Sequence, residues 1–267
     1  MREFIAQNRA NWNARTALHR RSAFYDVPGF IAGTSGGLPA QDIQEVGPVV
    51  GKSLLHLQCH FGMDSISWAK RGARVTGVDL SEEAIRLARE LASQMQVEAD
   101  FICADVYALP AELATDFDVI YTTRGVLCWL PDLRQWAKAI AAHLAPGGIL
   151  YLADSHPLLD LLAESGPELD EQGQYFHHPE PVRVEHFGSY AEEDPDFSEP
   201  VSYQWHHHLG EIITALAEAG LVIKHLHEFP FTFFPALPHM VRSEDGNWHL
   251  GQDRLPLSFS LLAERGC

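Results

Sequence analysis

Residues 3–21 set Phe4, Ile5, Trp12 and Leu18 among polar neighbours at helical spacing, which predicts an amphipathic helix. The stretch PGFIAGTSGGLP that follows is dense in Gly and Pro and reads as a loop. From residue 52 the rhythm changes. KSLLHLQ is a short apolar strand, MDSISWAKRG a helix closing at Gly72, and ARVTGVD a second strand. Ser81 caps the next helix, with Glu82 and Glu83 in the first turn, where the helix dipole favours acids. Ala84, Ile85, Leu87, Ala88 and Leu91 form its buried side. ADFICAD and FDVIYTT are the third and fourth strands, LRQWAKAIAAHL is a helix stopped by APGG, and ILYLAD is a fifth strand.

Strands alternating with helices predict a parallel sheet with right-handed crossovers, and continuously apolar strands predict burial on both faces. Residues 157–204 break the pattern. They are rich in Pro, Gly, Asp and Glu, and PVRVEHFGSYA alternates like an exposed strand or hairpin. This segment reads as an insertion packed over the carboxyl edge of the sheet. LGEIITALAEAG is then a helix, LVIKHLHEF a strand and LPLSFSLLAE a last strand. No helix separates the final two strands, so they are expected to pair antiparallel. The expected fold class is α/β: a helical cap over 1–50, a cofactor-binding core over 51–156, a β-containing inserted cap over 157–204, and completion of the core sheet over 205–267.

Composition narrows the function. The 267 residues suit one large α/β domain with a modest insertion, and 46% hydrophobic residues support a substantial core. No apolar run reaches the roughly 18 residues that span a bilayer, and the first twenty residues lack the apolar stretch of a secretory signal. A formal net charge of −17 sets the field against phosphate backbones, which argues against nucleic acid as a partner. Four scattered cysteines, Cys59, Cys103, Cys128 and Cys267, fit reduced thiols in a cytoplasmic protein. The fifteen histidines include the runs His177-His178 and His206-His207-His208. Adjacent histidines point in different directions, whereas a zinc site wants ligands at i and i+4 or at set gaps, so no metal ligand is assigned.

In a doubly wound sheet, ligands bind beyond the carboxyl ends of the strands at the switch point. The first strand-to-helix turn is LLHLQCHFGMDS, where Gln58 and His60 occupy places that glycine usually fills. Asp79 ends the second strand and can accept from both ribose hydroxyls; its alternative role is a helix cap. Asp105 follows the third strand, where it can meet an adenine amino group or be purely structural. A dinucleotide needs its pyrophosphate against close-packed glycines, and Gln58 and His60 crowd that approach. An adenosine cofactor without phosphate suits the turn better.

At this point the chain resembles the class I S-adenosylmethionine (SAM)-dependent methyltransferases. The resemblance rests on LLHLQCHFGMDS, GARVTGVDLSEEAI, FICADVYALP, FDVIYTTRGVLCWLPD and HLAPGGILYLAD, over roughly residues 50–155 and 207–265. HLQCHFG, NRANWNART, FYDVPGF, YFHHPEPVR and WHHHLGEIITALAEAGL are similar to a bacterial subgroup acting on small molecules. The departures are His56 at the usual acidic position, and Gln58 and His60 in place of glycines. The resemblance implies a Rossmann-like, seven-stranded, mostly parallel sheet with an antiparallel last strand. It also implies SAM as methyl donor with S-adenosylhomocysteine as product, and a small-molecule acceptor. The cofactor-binding set is expected to be Gln58, His60, Gly62, Met63, Asp79, Leu80, Asp105, Val106 and Thr123.

Methyl transfer is an in-line displacement in which alignment supplies much of the rate, and a base is needed only if the nucleophile must lose a proton. His156 and His207 are the expected bases; the alternative is that both are structural hydrogen-bonders. Tyr25 and Arg124 are expected at the substrate, or else in the core and a surface ion pair respectively. Trp12, Trp129 and Trp205 read as packing residues, and FPFTFFPALPHM as an apolar pocket wall or core. Three other readings compete. An NAD-type oxidoreductase lacks its GxGxxG loop, a SAM-binding sensor would show no turnover, and a metal hydrolase needs a ligand set. The assembly is expected to be a monomer or homodimer.

Overall fold

The computed structural model describes residues 1–109, 113, 116–162, 168–170, 173–244, 246–251 and 253–266. Cys267 and parts of the CADVYALP turn and of the insertion lie outside the described residues. Helix α1 (Arg2–Arg21) has Arg20 and Arg21 in its last turn, where the helix dipole favours cations. Residues Val27–Ala32 form a helix, α2, where the Gly and Pro content predicts a loop. Pro28 sits in its first turn, where the missing N–H breaks no intrahelical bond, and the Asp26 carboxylate caps it by accepting from Gly29 N at 3.1 Å. A further short helix, α3 (Ala40–Val46), precedes the sheet.

The core then runs β1 (Ser53–Leu57), α4 (Met63–Lys70), β2 (Arg74–Asp79), α5 (Glu82–Gln94), β3 (Asp100–Cys103), β4 (Phe117–Thr123), α6 (Leu133–His143) and β5 (Leu144–Ser155). The APGG segment ends α6 as expected but lies inside β5, which starts directly at Leu144. The insertion contributes two antiparallel pairs, β6 (Val182–Glu185) with β9 (Val201–Gln204), and β7 (Gly188–Ser189) with β8 (Glu192–Glu193). The chain closes with α7 (Leu209–Glu218), β10 (Leu221–Phe229), a small sheet of β11 (Phe231–Thr232), β12 (Val241–Arg242) and β13 (Trp248–His249), and β14 (Ser258–Arg265).

The main sheet has seven strands in the order β10-β14-β5-β4-β1-β2-β3. Strands β1 to β5 pair parallel, and β14 lies antiparallel between β5 and β10, as the resemblance implies. Alternation along the strands splits the core into two layers. Leu55, Leu57, Ile120, Leu150 and Leu152 face Trp136 and Ile140 of α6 and Ile212 and Leu216 of α7. Leu54, Val75, Val119, Tyr121 and Tyr151 face Trp68 of α4 and Val46 of α3. Among the described residues no helix is long and apolar enough to cross a membrane.

Helix α1 is bound to the insertion through side-chain amides. Asn8 donates to the Tyr203 carbonyl at 2.8 Å and accepts from the Tyr203 N–H at 2.7 Å, so one amide supplies the pairing that another strand would give β9. Asn11 donates to the Glu199 carbonyl at 2.6 Å.

The strand order reverses between β1 and β4, and the turn leaving β1 carries three left-handed residues. Gln58, His60 and Gly62 have φ of +56°, +49° and +75°, all in the left-handed region. Only Gly62 is also enclosed: a methyl there would stand 2.6 Å from the Phe101 ring and 3.1 Å from the Ala88 Cβ. Gly51 shares the φ of +75° but has open space where the Cβ would go. Left-handed backbone costs a non-glycine residue about 1–2 kcal/mol, and overpacking adds about 1–3 kcal/mol. Gly62→Ala should therefore destabilise the protein by about 2–5 kcal/mol and Gly51→Ala by only about 1–2 kcal/mol in urea unfolding. Equal losses in the two variants would remove the packing argument.

Candidate functional site

Two loops flank the reversal point, and each is held by a carboxylate from the strand beside it. At the β1 loop, Asp79 at the end of β2 accepts from His60 N at 2.7 Å and from Ser81 N at 2.9 Å. The second bond is a local turn onto Ser81, and Ser81, not Asp79, caps α5 through Ala84 N; the first reaches across to the neighbouring loop. At the β4 loop, Asp154 of β5 accepts from the backbone N–H groups of Gly125 (2.7 Å), Val126 (3.0 Å), Leu127 (2.9 Å) and Ser155 (2.8 Å). Gln58 ties the loops together by donating from Nε2 to the Val126 carbonyl at 2.8 Å. Burial pushes the Asp79 carboxyl up to about 6, against the pull of the Ser81, His60 and Leu80 backbone N–H groups. Burial raises Asp154 too, opposed by its four N–H donors.

Helix α1 and the insertion roof the β1 loop. His60 Nε2 meets His19 Nδ1 at 2.7 Å, and His19 Nε2 meets Ser189 Oγ of β7 at 2.8 Å. Burial drives both rings toward the neutral form, His19 to about 2 and His60 to about 3. Trp12 packs edge-on against His60 at 5.1 Å and against Trp129 at 5.3 Å. The Arg15 guanidinium lies over both indoles, 5.3 Å from Trp12 and 5.5 Å from Trp129. Tyr25 joins its hydroxyl to that of Tyr190 in a short hydrogen bond and packs on Phe61. Three buried polar atoms here have no partner: Gln58 Oε1, His60 Nδ1 and Arg15 Nε. Arg15 is 6% exposed, and among the described residues no carboxylate pairs with it.

The other expected residues divide. Met63 opens α4 behind Gly62, and Leu80 follows Asp79. Asp105 forms a turn through Oδ1 and Tyr107 N at 2.9 Å, beside buried Val106. Thr123 is buried at the end of β4 and accepts from Arg124 at 3.1 Å. Arg124 reaches a buried network: Asp64 at 2.9 Å, and Asp42, 0% exposed, at 2.5 Å. Asp42 also accepts from the hydroxyls of Tyr121 and Tyr151. The Arg124 partners are thus buried Asp42 and half-buried Asp64 rather than the surface acid considered from sequence, with Phe233 stacked on the guanidinium at 5.0 Å.

Both expected bases have both ring nitrogens occupied. His156 Nδ1 accepts from Leu158 N at 3.1 Å, so Nε2 carries the hydrogen and meets Glu228 at 2.9 Å. Burial lowers its pKa although Glu228 opposes the shift. His207 Nε2 meets the Leu130 carbonyl at 2.6 Å, and Nδ1 meets Glu211 at 3.1 Å. Among the described residues neither ring shares a hydrogen bond or ring contact with the β1 loop. Sequence reasoning passed over Arg15 and His19, although Trp12, Arg15 and His19 stand at i, i+3 and i+7, one face of a helix.

A family model described as "Methyltransferase domain" matches residues 54–148, which span β1 to β5. The chain is 36% identical over 103 residues to a ubiquinone biosynthesis O-methyltransferase of Idiomarina loihiensis, covering 39% of this chain and 42% of that protein. It is 35% identical over 129 residues to the Bordetella pertussis protein of the same name, covering 47% of this chain and 53% of the relative. The chain thus spans about half the length of the curated relatives it matches. Among solved structures it resembles an S-adenosylmethionine-dependent methyltransferase of Mesorhizobium loti, at 22% identity, with a TM-score of 0.58 over 84% of this chain and 96% of that one. A second, from Clostridium acetobutylicum, matches at 15% identity with a TM-score of 0.57 over 94% and 95% of the two chains. Residues 54–148 match the methyltransferase domain model, and the chain shares the fold of solved S-adenosylmethionine-dependent methyltransferases.

Proposed function

We propose that the protein transfers the methyl group of SAM to a small organic acceptor. The observation that carries this reading is the left-handed turn of Gln58, His60 and Gly62, held by Asp79, beneath a buried arginine that has no carboxylate partner among the described residues. The residues present fit the cofactor. Each Asp79 oxygen accepts one backbone N–H and keeps a lone pair for a ribose hydroxyl. The second oxygen of Asp105 is left to accept from the adenine amino group. Arg15 offers a desolvated cation to the methionyl carboxylate, the only anionic group that SAM carries. Unpartnered Gln58 Oε1 and His60 Nδ1 line the same turn.

When bound, SAM supplies a methyl group on a positively charged sulfur that leaves as a neutral thioether. The protein contributes alignment and dryness. Trp12, Trp129, Tyr25 and Tyr190 close the roof against water. His60 keeps an unpartnered Nδ1 at the turn, and burial lowers its pKa to about 3, so it can accept a hydrogen bond that orients an acceptor hydroxyl but is too weak a base to hold its proton. His156 and His207 are assigned to positioning, because their nitrogens are engaged elsewhere. The O-methyltransferase names of the relatives favour an oxygen acceptor. The free thiols of Cys59, Cys103 and Cys128 support a cytoplasmic setting. In this reading residues 1–50 and 157–204 form the roof, and 51–156 with 205–267 the cofactor-binding body.

Calorimetric titration with SAM, S-adenosylhomocysteine and NAD should show binding of the two sulfur compounds and none of NAD. The reverse pattern would end the proposal. Asp79→Ala should weaken SAM by about 1–3 kcal/mol through loss of bonds to a charged acceptor. Ionised Asp79 accepts from both ribose hydroxyls, and the protonated form cannot. SAM affinity should therefore fall as pH drops through about 6, and Asp79→Asn should abolish that dependence. A pH profile shared by wild type and Asp79→Asn would exclude Asp79 as its source. Arg15→Met should weaken SAM by about 1.5–3 kcal/mol while leaving decarboxylated SAM unchanged. An equal loss for both ligands would show that Arg15 acts through packing.

A further inference from the structure

Away from the proposed cofactor site, His177, His207 and Glu211 bring one ligating atom each to within 4.8 Å of one another. His177 belongs to the insertion, His207 immediately precedes α7, and Glu211 lies in the first turn of that helix. His207 is buried, and the other two are half-buried. The two imidazole rings stack at 4.9 Å, 10° from parallel.

Backbone carbonyls determine the hydrogen on each ring. His207 Nε2 lies 2.6 Å from the Leu130 carbonyl, which can only accept, so Nε2 carries the hydrogen. A neutral ring then turns a bare Nδ1 lone pair toward the Glu211 carboxylate at 3.1 Å. Two acceptors at that distance repel unless a second proton or a cation stands between them. His177 Nδ1 is likewise held by the His206 carbonyl, at 3.1 Å, which leaves Nε2 as its lone pair. Metal-ligating histidines show the same arrangement, with one nitrogen donating to a carbonyl and the other bare. Ligand atoms around tetrahedral zinc, at about 2.0–2.1 Å from the metal, stand roughly 3.3 Å apart, close to the Nδ1–Oε2 separation.

We propose that His177, His207 and Glu211 bind one divalent transition-metal ion of the zinc class, which clamps the insertion onto the start of α7. The ion replaces any proton between His207 Nδ1 and Glu211, and no electron transfer is involved. A fourth position is left for water. The neighbouring histidines do other work: His206 meets Asp160 at 2.9 Å, and His208 caps α7 through Glu211 N at 3.1 Å. The ligand set therefore takes one histidine from each of two separate runs.

A second cluster joins Glu45 of α3 to His225 and His227 of edge strand β10; His227 is 51% exposed, and among the described residues no carbonyl contact fixes the hydrogen on either ring. It supplies the control. Untagged full-length protein, stripped with chelator and dialysed, is titrated with Zn2+ by calorimetry and with Co2+ by visible absorption. The expected result is one equivalent bound, a higher thermal midpoint with Zn2+, and affinity at least about tenfold weaker in both His177→Ala and Glu211→Gln. His227→Ala should match wild type. Circular dichroism confirms folding of each variant; His177 lies in the insertion and Glu211 on a half-exposed helix turn, so either variant alone suffices as the test. Absence of saturable binding, or binding kept in both site variants and lost in His227→Ala, would overturn the proposal.

Discussion

The site depends on buried carboxylates that collect the unpaired backbone N–H groups of two loops. Strands that end at a reversal point leave such donors without a ladder partner, and each unsatisfied buried donor costs about 1–3 kcal/mol. Asp79 answers this at the β1 loop and Asp154 at the β4 loop, each reaching from the adjacent strand. Burial disfavours their charged forms, while the N–H bonds favour them. The balance leaves Asp79 within reach of neutral pH, with lone pairs still open to a ligand. The carboxylate that shapes the loop is also the one proposed for the ribose, so in that reading loop geometry and cofactor recognition share one group.

The turn itself shows why glycines could be replaced. Gln58 and His60 keep the left-handed backbone that glycine adopts without cost, and their side chains make contacts that offset the strain. Gln58 bridges to the β4 loop, and His60 reaches His19 of α1, which reaches Ser189 of the insertion. A glycine loop leaves open space for a phosphate. This one spends that space on a hydrogen-bonded chain that fastens the roof to the sheet. Gly62 could not be replaced in the same way, because the Phe101 ring occupies the place of its Cβ.

The roof is held by groups that sequence patterning treats as surface. Asn8 and Asn11 are buried against β9, and Arg124 crosses from β4 to buried Asp42 of α3. A buried ion pair of this kind contributes little to net stability, yet loss of one partner is expensive. It therefore specifies how α3 and α4 sit against the sheet more than it strengthens the fold. Such contacts join residues 82 to 195 positions apart, and no local periodicity records them.

Local patterning determined the strand and helix order, the antiparallel final pair, the turn after β1 and the position of Asp79. Each of these depends on apolar spacing or on residues within one βα unit. It misread Val27–Ala32, where Pro and Gly marked a loop but Asp26 capped a short helix. Tertiary structure alone decided the rest. Packing of α1 over the sheet turned Arg15 and His19 toward the loop, while the carbonyls of Leu130 and His206 fixed the hydrogens on His207 and His177. The orientation of a polar side chain depends on which distant backbone group needs a partner, and only the assembled chain brings those groups together.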